Sequence, residues 1–180
     1  FEWTNQQGVE VSQRDLAGGP PDLTAYGPME PAAWERVLDG ASLKELQFVR
    51  MQGEHYYVLR TATTALDLGK RERLHQPYYV VGRVAPDRVI VSAKSLEPRT
   101  EAFSPDEVVA RVKAAVPEAP VAGYELLNEY DSYYYSRSGQ TPLPVVRIRF
   151  ADAAETWLYI DPWMNQSPSS VPRLARLGRR

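Results

Sequence analysis

A helix start followed by strand-like segments between Ser104 and Pro162 constrains the fold of this chain more than any other feature. The run Ser104-Pro105-Asp106-Glu107 is a capping box, in which a serine hydroxyl and a glutamate carboxylate each satisfy an amide of the first helical turn. Proline suits the first helical position, because the amide it lacks has no partner there. Apolar residues at helical spacing follow before Pro117: Val108, Val109, Val112, Ala115 and Val116. The sequence therefore predicts an amphipathic helix that ends at Pro117.

Three strand-like segments follow this helix and predict an antiparallel meander. A long strand is expected over 123–135, rich in tyrosine and closed by the polar turn 136–140. The chain is expected to return through Val145–Phe150, to turn again at 151–155 and to end in the strand Thr156–Ile160. A helix lying on one face of an antiparallel sheet is an α+β arrangement.

The first half of the chain predicts the same order of elements. Pro31 opens a helix that reaches Asp39, and Gly40 follows as its left-handed cap. The segments 46–51 and 55–60 flank a glycine-bearing turn, so a hairpin is expected there.

A second hairpin is predicted from Tyr78–Val84 and Arg88–Ala93, which flank the turn Ala85-Pro86-Asp87. The order of one helix followed by strands thus occurs twice, and the class expected is α+β with two similar units, each a helix packed on an antiparallel β-meander. The chain divides accordingly into a loop-rich lead-in, a first unit, a second unit and a basic tail of juxtamembrane type, at residues 1–28, 29–98, 104–163 and 164–180.

Composition excludes several classes of protein. The chain has no cysteine, which excludes disulfides, thiolate metal sites and cysteine nucleophiles. The 21 basic and 23 acidic residues leave a formal charge of -2, so no broad cationic surface is expected and nucleic acid is not predicted as a partner. No apolar run reaches the roughly 18 residues typical of a membrane span.

Tyrosine is the most unusual component, with 11 residues and a cluster between positions 130 and 135. In a strand, Tyr133 and Tyr135 would share one face and Tyr134 the other, so one set would cover the helix while the other presents an aromatic surface for a peptide or a flat ligand. The alternative is that these tyrosines only pack in a half-buried sheet. The candidate ligand-binding residues are Tyr130, Tyr133, Tyr134, Tyr135, Arg147 and Trp157.

Catalytic and metal-binding patterns are weak. His55 lies beside Glu54, and His75 is twenty residues away, which is a poor match to a metal site. The chain contains no G-x-S-x-G, S-x-x-K or H-E-x-x-H motif. We therefore predict no catalytic residue, no metal ligand and no enzyme activity for this segment alone.

The second unit resembles the PepSY module. The run 104–109 with Val116-Pro117 resembles that family's opening helix, and 145–150 with 156–162 resembles its paired closing strands and terminal aspartate turn. The match departs at 163–166, where the family often has a glycine-bearing turn. With the tyrosine cluster and Leu143-Pro144-Val145 included, the stretch is similar to the PepSY-associated transmembrane proteins of bacteria.

The resemblance implies a periplasmic domain on the outer side of the inner membrane, in contact with its own transmembrane helices and with a peptide, protein or small ligand. Some members of that group are linked to iron uptake and to reduction of siderophore-bound iron, so the full-length protein could be part of a reductase. The resemblance implies no cofactor in this segment, since the haem of such proteins is held by membrane helices outside it.

Two alternatives stay open at this point. One is a secreted peptidase-inhibitory or pro-segment-like module, a role suggested for PepSY modules elsewhere, and the other is an electron-transfer or metal-handling domain. The chain begins Phe1-Glu2-Trp3 and ends in the arginine-rich stretch 173–180. These ends indicate either a segment cut beside a membrane span or one trimmed at a flexible tail.

Overall fold

Helices and antiparallel sheets make up the chain in a computed structural model that describes residues 8–28, 30–62, 79–80, 83–84, 88–135 and 141–171. The predicted α+β class is confirmed at this level. In chain order the elements are α1 (Gln13–Ala17), a 3-10 turn (Leu23–Ala25), α2 (Pro31–Leu38), β1 (Leu43–Met51), β2 (Glu54–Thr61), β3 (Tyr79–Val80), β4 (Arg83–Val84), β5 (Arg88–Ser92), α3 (Pro105–Ala115), β6 (Val121–Leu127), β7 (Val145–Phe150), β8 (Trp157–Asp161) and β9 (Gln166–Val171).

Helix α3 begins at the predicted capping box. The Ser104 hydroxyl accepts a hydrogen bond from the Glu107 amide at 3.3 Å, and the Glu107 carboxylate accepts one from the Ser104 amide at 2.7 Å. Both donors would otherwise lack a partner within the helix, so the box fixes where the helix starts. Its apolar stripe is buried at Val108, Val109 and Val112, which turns that face toward the second sheet.

The second sheet has the strand order β6-β7-β8-β9, all antiparallel. One face lies under α3 and forms a core with it, because alternate residues of β7 and β8 point to that side. The strand residues of this core are Val146, Ile148, Phe150, Leu158 and Ile160.

Strand β9 was not predicted and lies in the segment assigned to the basic tail. Its residues QSPSSV show no alternation of apolar and polar side chains, so periodicity could not reveal it. It forms because Asn165 adopts a left-handed backbone with φ 50° and turns the chain back along β8. Residues 172–180 of that segment lie outside the described residues.

The first sheet has the order β1-β2-β5, and the predicted hairpin of β1 and β2 is confirmed. Its turn uses positive φ values at Gln52 (54°) and Gly53 (88°), the combination that matches the twist of a tight hairpin. Helix α2 runs close to the predicted range and ends at a left-handed Asp39. It packs on one face of this sheet through Trp34.

The predicted second hairpin is wrong. The range 78–84 was expected to be one strand, but it contains two short strands that pair with each other, β3 (Tyr79–Val80) and β4 (Arg83–Val84). Strand β5, the expected partner of that range, pairs with β2 instead. Strand β2 is buried at Tyr57, Val58 and Leu59, so the backbone amides and carbonyls on both of its edges need hydrogen-bond partners. The apolar β5 fills the side that β1 leaves open. The turn residues 85–87 lie outside the described residues.

One apolar cluster joins the two sheets, and we call it the junction core. It contains Met51, Val58 and Ile90 from the first sheet and Trp163 and Met164 from the turn after β8.

The lead-in connects to the same region through α1. Leu16 of α1 is fully buried in the core under α3, and its carbonyl accepts a hydrogen bond from the Asn165 amide group at 2.7 Å. The two halves therefore share buried surface with each other and with the lead-in.

Candidate functional site

The tyrosine cluster does not form the strand that the sequence predicts. Strand β6 ends at Leu127, and residues 128–135 form an irregular segment, which we call the tyrosine loop. The loop lies over the face of the second sheet opposite α3, the outer face, where it meets Arg147, Trp157 and Tyr159.

Asp131 holds the tyrosine loop in this position. One carboxylate oxygen accepts hydrogen bonds from the amides of Tyr133 and Tyr134, each at 2.7 Å. The other oxygen accepts from Arg147 Nη1 at 2.8 Å and from the Tyr159 hydroxyl at 3.0 Å. A strand could not offer two successive amides to one carboxylate, so these bonds explain why strand pairing stops before the tyrosines.

Tyr134 is the buried member of the cluster, with 2% of its surface exposed. Its ring stacks on Tyr159 with centroids 4.8 Å apart and planes 14° apart, and its hydroxyl donates to the Pro142 carbonyl at 2.6 Å. Burial, followed by the nearby charges of Asp161 and other ionisable groups, raises the pKa of Tyr134 far above the usual range. Burial, followed by the charge of Asp131, likewise raises the pKa of Tyr159. Both hydroxyls therefore stay protonated and act as donors.

Arg147 lies at the centre of the outer face, and 16% of its side chain is exposed. It pairs with Glu125 at 2.6 Å and with Asp131 at 2.8 Å, and its guanidinium lies 4.4 Å from the centroid of the Trp157 ring. Burial disfavours its charged form, but the hydrogen bond and charge of Glu125, together with Tyr159, outweigh that cost and raise the pKa of Arg147. The cation is therefore permanent and fixed in orientation.

The remaining candidate tyrosines stand around this centre. Tyr133 meets Trp157 edge to face with ring centroids 5.6 Å apart. Tyr130 and Tyr135 are 38% and 44% exposed, and the Tyr130 hydroxyl donates to the Thr141 carbonyl at 2.7 Å. We call the exposed and half-exposed set the aromatic face: Tyr130, Tyr133, Tyr135, Arg147 and Trp157.

The structure thus places the predicted site tyrosines on the outer face through an irregular loop, whereas the sequence predicted a strand. The expectation that one set of tyrosines would cover the helix is wrong: Tyr134 is the buried member, and it packs on Tyr159 on the face opposite α3. Asp131 and Tyr159, which orient the others, were missed as members of the site. An aspartate two residues before Tyr133 in a polar stretch is the signal of an Asx turn, and it could have indicated the first of them.

The aromatic face is suited to binding. Tyrosine, tryptophan and arginine are the residue types enriched at binding hot spots, because each combines a large apolar surface with a polar group. Here the arginine is already held by two carboxylates, so little side-chain entropy is left to lose when a partner docks.

The other candidate groups have simpler surroundings. His55 accepts a hydrogen bond from the Asp22 amide at 3.0 Å through Nε2, and His75 lies outside the described residues. Across the described ranges, no three histidine, aspartate or glutamate side chains lie together as a set of metal ligands. None of the helices in the part of the chain that the structure describes has the length and apolar character needed to cross a bilayer.

Comparison with family models, with curated proteins and with solved structures finds no match to this chain.

Proposed function

We propose that this chain is an extracytoplasmic binding or regulatory domain of PepSY type, located on the periplasmic side of the inner membrane as part of an integral membrane protein. Two features support the proposal. The second half has a capping-box helix lying on an antiparallel meander, the arrangement that the resemblance implies. The first half repeats the arrangement with α2 on the β1-β2-β5 sheet.

The aromatic face is the observation that carries the binding role. Its loop, with exposed Tyr130 and Tyr135, lies over the side of the sheet that carries a fixed guanidinium and a half-exposed Trp157, and the other side is filled by α3. We propose that this side contacts the transmembrane part of the same protein, with a peptide, another protein or a small ligand as the alternative partner. The packing beneath it keeps the surface in one shape, as a docking surface requires.

We further propose a link to iron or siderophore uptake and reduction, on the strength of the resemblance. In that setting the haem belongs to the membrane helices, and the domain would contribute contact and regulation without ligating it.

Membrane topology provides the first test. Alkaline phosphatase, which is active only outside the cytoplasm, is fused after Val171 in the full-length protein and expressed in a Gram-negative host. Activity is expected, with a fusion to a known cytoplasmic loop as the control. An inactive fusion of a normally expressed protein would overturn the periplasmic assignment.

Contact through the aromatic face provides the second test. A photo-crosslinking residue replaces Tyr135 in the full-length protein in membranes, and the matched control replaces exposed Lys44 on β1. We expect an intramolecular crosslink from position 135 to a membrane helix and none from position 44. Equal yields from the two positions would contradict a specific role for the aromatic face.

A further inference from the structure

A cleft separate from the aromatic face lies where the lead-in meets both sheets. This junction cleft has a volume of about 370 Å³ and opens between α1, β1 and the start of β9. Its size falls in the range of small-molecule sites, roughly 300 to 1,000 Å³. No residue of the aromatic face lines it, so the inference drawn from it goes beyond the proposed function and does not depend on it.

The side chains at the bottom of the cleft are apolar. Ala17, Met51 and Met164 are 8%, 1% and 3% exposed and belong to the packed interior, and half-buried Val49 lies beside them. Phe48, 42% exposed on β1, adds the accessible apolar surface on which an alkyl or aromatic body can lie.

The charged side chains that line the cleft are both arginines, Arg14 and Arg50. Arg14 is exposed on α1, and its guanidinium has no hydrogen-bond or ion-pair partner among the described residues. No carboxylate stands among the lining residues of the described chain. Asp22 interacts electrostatically with Arg50, but it does not line the cleft, and its Oδ1 accepts from the amide and hydroxyl of Thr24 at 2.9 and 2.7 Å. The cleft is therefore suited to an anionic group.

Arg50 is held in place by the wall of the cleft. Its Nε donates to the Gly53 carbonyl at 3.0 Å and its Nη1 to the Pro20 carbonyl at 3.3 Å. Gly19 has φ 112°, and a Cβ on it would lie 2.8 Å from Arg50 Nη1. The positive φ favours glycine at this position, and the two carbonyl bonds position the cation before any ligand arrives.

We propose that the junction cleft binds a small amphipathic carboxylate, with its apolar body on Phe48 and Val49 and its carboxylate between Arg14 and Arg50. Guanidinium groups bind carboxylates through paired charge-assisted hydrogen bonds, which gives the anionic end its specificity. The same chemistry is offered by a free alkyl carboxylate and by the carboxyl end of an apolar peptide.

The test is a calorimetric titration of the whole chain with octanoate, and with octylammonium as the charge-reversed control. Saturable binding of octanoate and none of octylammonium is expected. An apolar tetrapeptide with a free carboxyl end is compared with its amide, and whichever carboxylate binds more tightly identifies the source. No saturable binding by octanoate or by the peptide acid would overturn the proposal.

Two measurements test where octanoate binds: the affinity of arginine variants and the shift of methyl resonances. Arg14→Gln is expected to weaken octanoate binding about tenfold, the effect of losing one charge-assisted interaction, whereas Arg36→Gln on α2 makes the same charge change without effect. Octanoate is expected to shift the methyl resonances of Val49, which lines the cleft and is half-buried. Equal weakening by the two variants, or unshifted methyl resonances during binding, would overturn this placement.

Discussion

At the scale of single residues, the carboxylate of Asp131 decides how the outer face of the second sheet is covered. It accepts four hydrogen bonds, two from backbone amides of the tyrosine loop and two from side chains of strands β7 and β8. Loop and sheet are thus joined through one group, and Arg147 and Tyr159 depend on it for their orientation.

Replacing this carboxylate should therefore be costly. We expect Asp131→Ala to lower the free energy of unfolding by about 2–3 kcal/mol, because it leaves a half-buried guanidinium and a buried hydroxyl with fewer partners. Urea denaturation measures the change. Glu129→Ala, which removes an exposed acid two residues earlier, should change stability by no more than about 0.5 kcal/mol. A similar loss in both variants would contradict the role of Asp131.

The buried tyrosines predict how stability depends on pH in the alkaline range. The pKa values of Tyr134 and Tyr159 are raised above the ordinary tyrosine value of about 10 in the folded state. Their contribution is complete below pH of about 10 and is lost as pH rises from there toward the folded pKa, because the unfolded chain ionises first. An absorbance titration of tyrosinate should show a late step that coincides with loss of the circular dichroism signal. Tyr134→Phe should reduce the height of that step, and early ionisation of all tyrosines in a folded chain would exclude this account.

At the scale of secondary-structure elements, the features encoded within a few residues follow the sequence most closely. The capping box of α3 and the Gln52-Gly53 turn of the first hairpin each depend on neighbouring residues only, and both lie where the sequence predicts them. The hydrogen bonds of the capping box and the backbone angles of the turn involve only residues a few positions apart, so no tertiary contact is needed to specify either feature.

The capping box gives a prediction with two readouts. Ser104→Ala should cost about 1 kcal/mol of stability, whereas Ser42→Ala on an exposed linker should be close to neutral. The Ser104 side chain and then its backbone amide lower the pKa of Glu107, so this contribution is present above the usual glutamate pKa and fades as pH falls through the lowered one. Thermal denaturation between neutral and acidic pH should show a weaker acid dependence in Ser104→Ala, and an unchanged dependence would count against the box.

The elements that the sequence did not predict depend on distant partners. Polar β9 is a strand because β8 offers it an edge, and β5 leaves its expected hairpin because β2 needs a second neighbour. Likewise the tyrosines at 130–135 have the composition of a strand, but the buried stack of Tyr134 on Tyr159 and the bonds of Asp131 outweigh that local preference. The sequence thus indicated Tyr133, Arg147 and Trp157, which meet on the outer face, but it missed Asp131 and Tyr159 and did not predict the geometry.

At the scale of the whole molecule, the lead-in and the junction core make the two halves one packed structure. Leu16 lies in the core beneath α3, and Asn165 bonds to its carbonyl from 149 positions further along the chain. The apolar residues around this position, Val9, Val11, Leu16 and Ala17, do not recur three or four positions apart as on one helix face, so the burial of Leu16 could not be inferred from periodicity.

Truncating this residue should destabilise the entire chain. We expect Leu16→Ala to cost about 2–5 kcal/mol, as for other fully buried leucines, while Leu23→Ala, 69% exposed in the same lead-in, should be nearly silent. Unfolding followed by tryptophan fluorescence and by circular dichroism should shift as one transition, because the junction core couples the halves. Two separate transitions in the unaltered chain would contradict that coupling.

The docking of the lead-in also has a mechanical consequence. The Val9 amide donates to the Thr156 hydroxyl at 3.0 Å just before β8, and β9 pairs with the edge of β8 that β7 leaves open. A force applied between Gly8 and Val171 would therefore load the Val9–Thr156 bond and the pairing of β9 with β8. The β1-β2-β5 sheet, threaded between these two attachment points, would be shielded from tension until the lead-in or β9 came away.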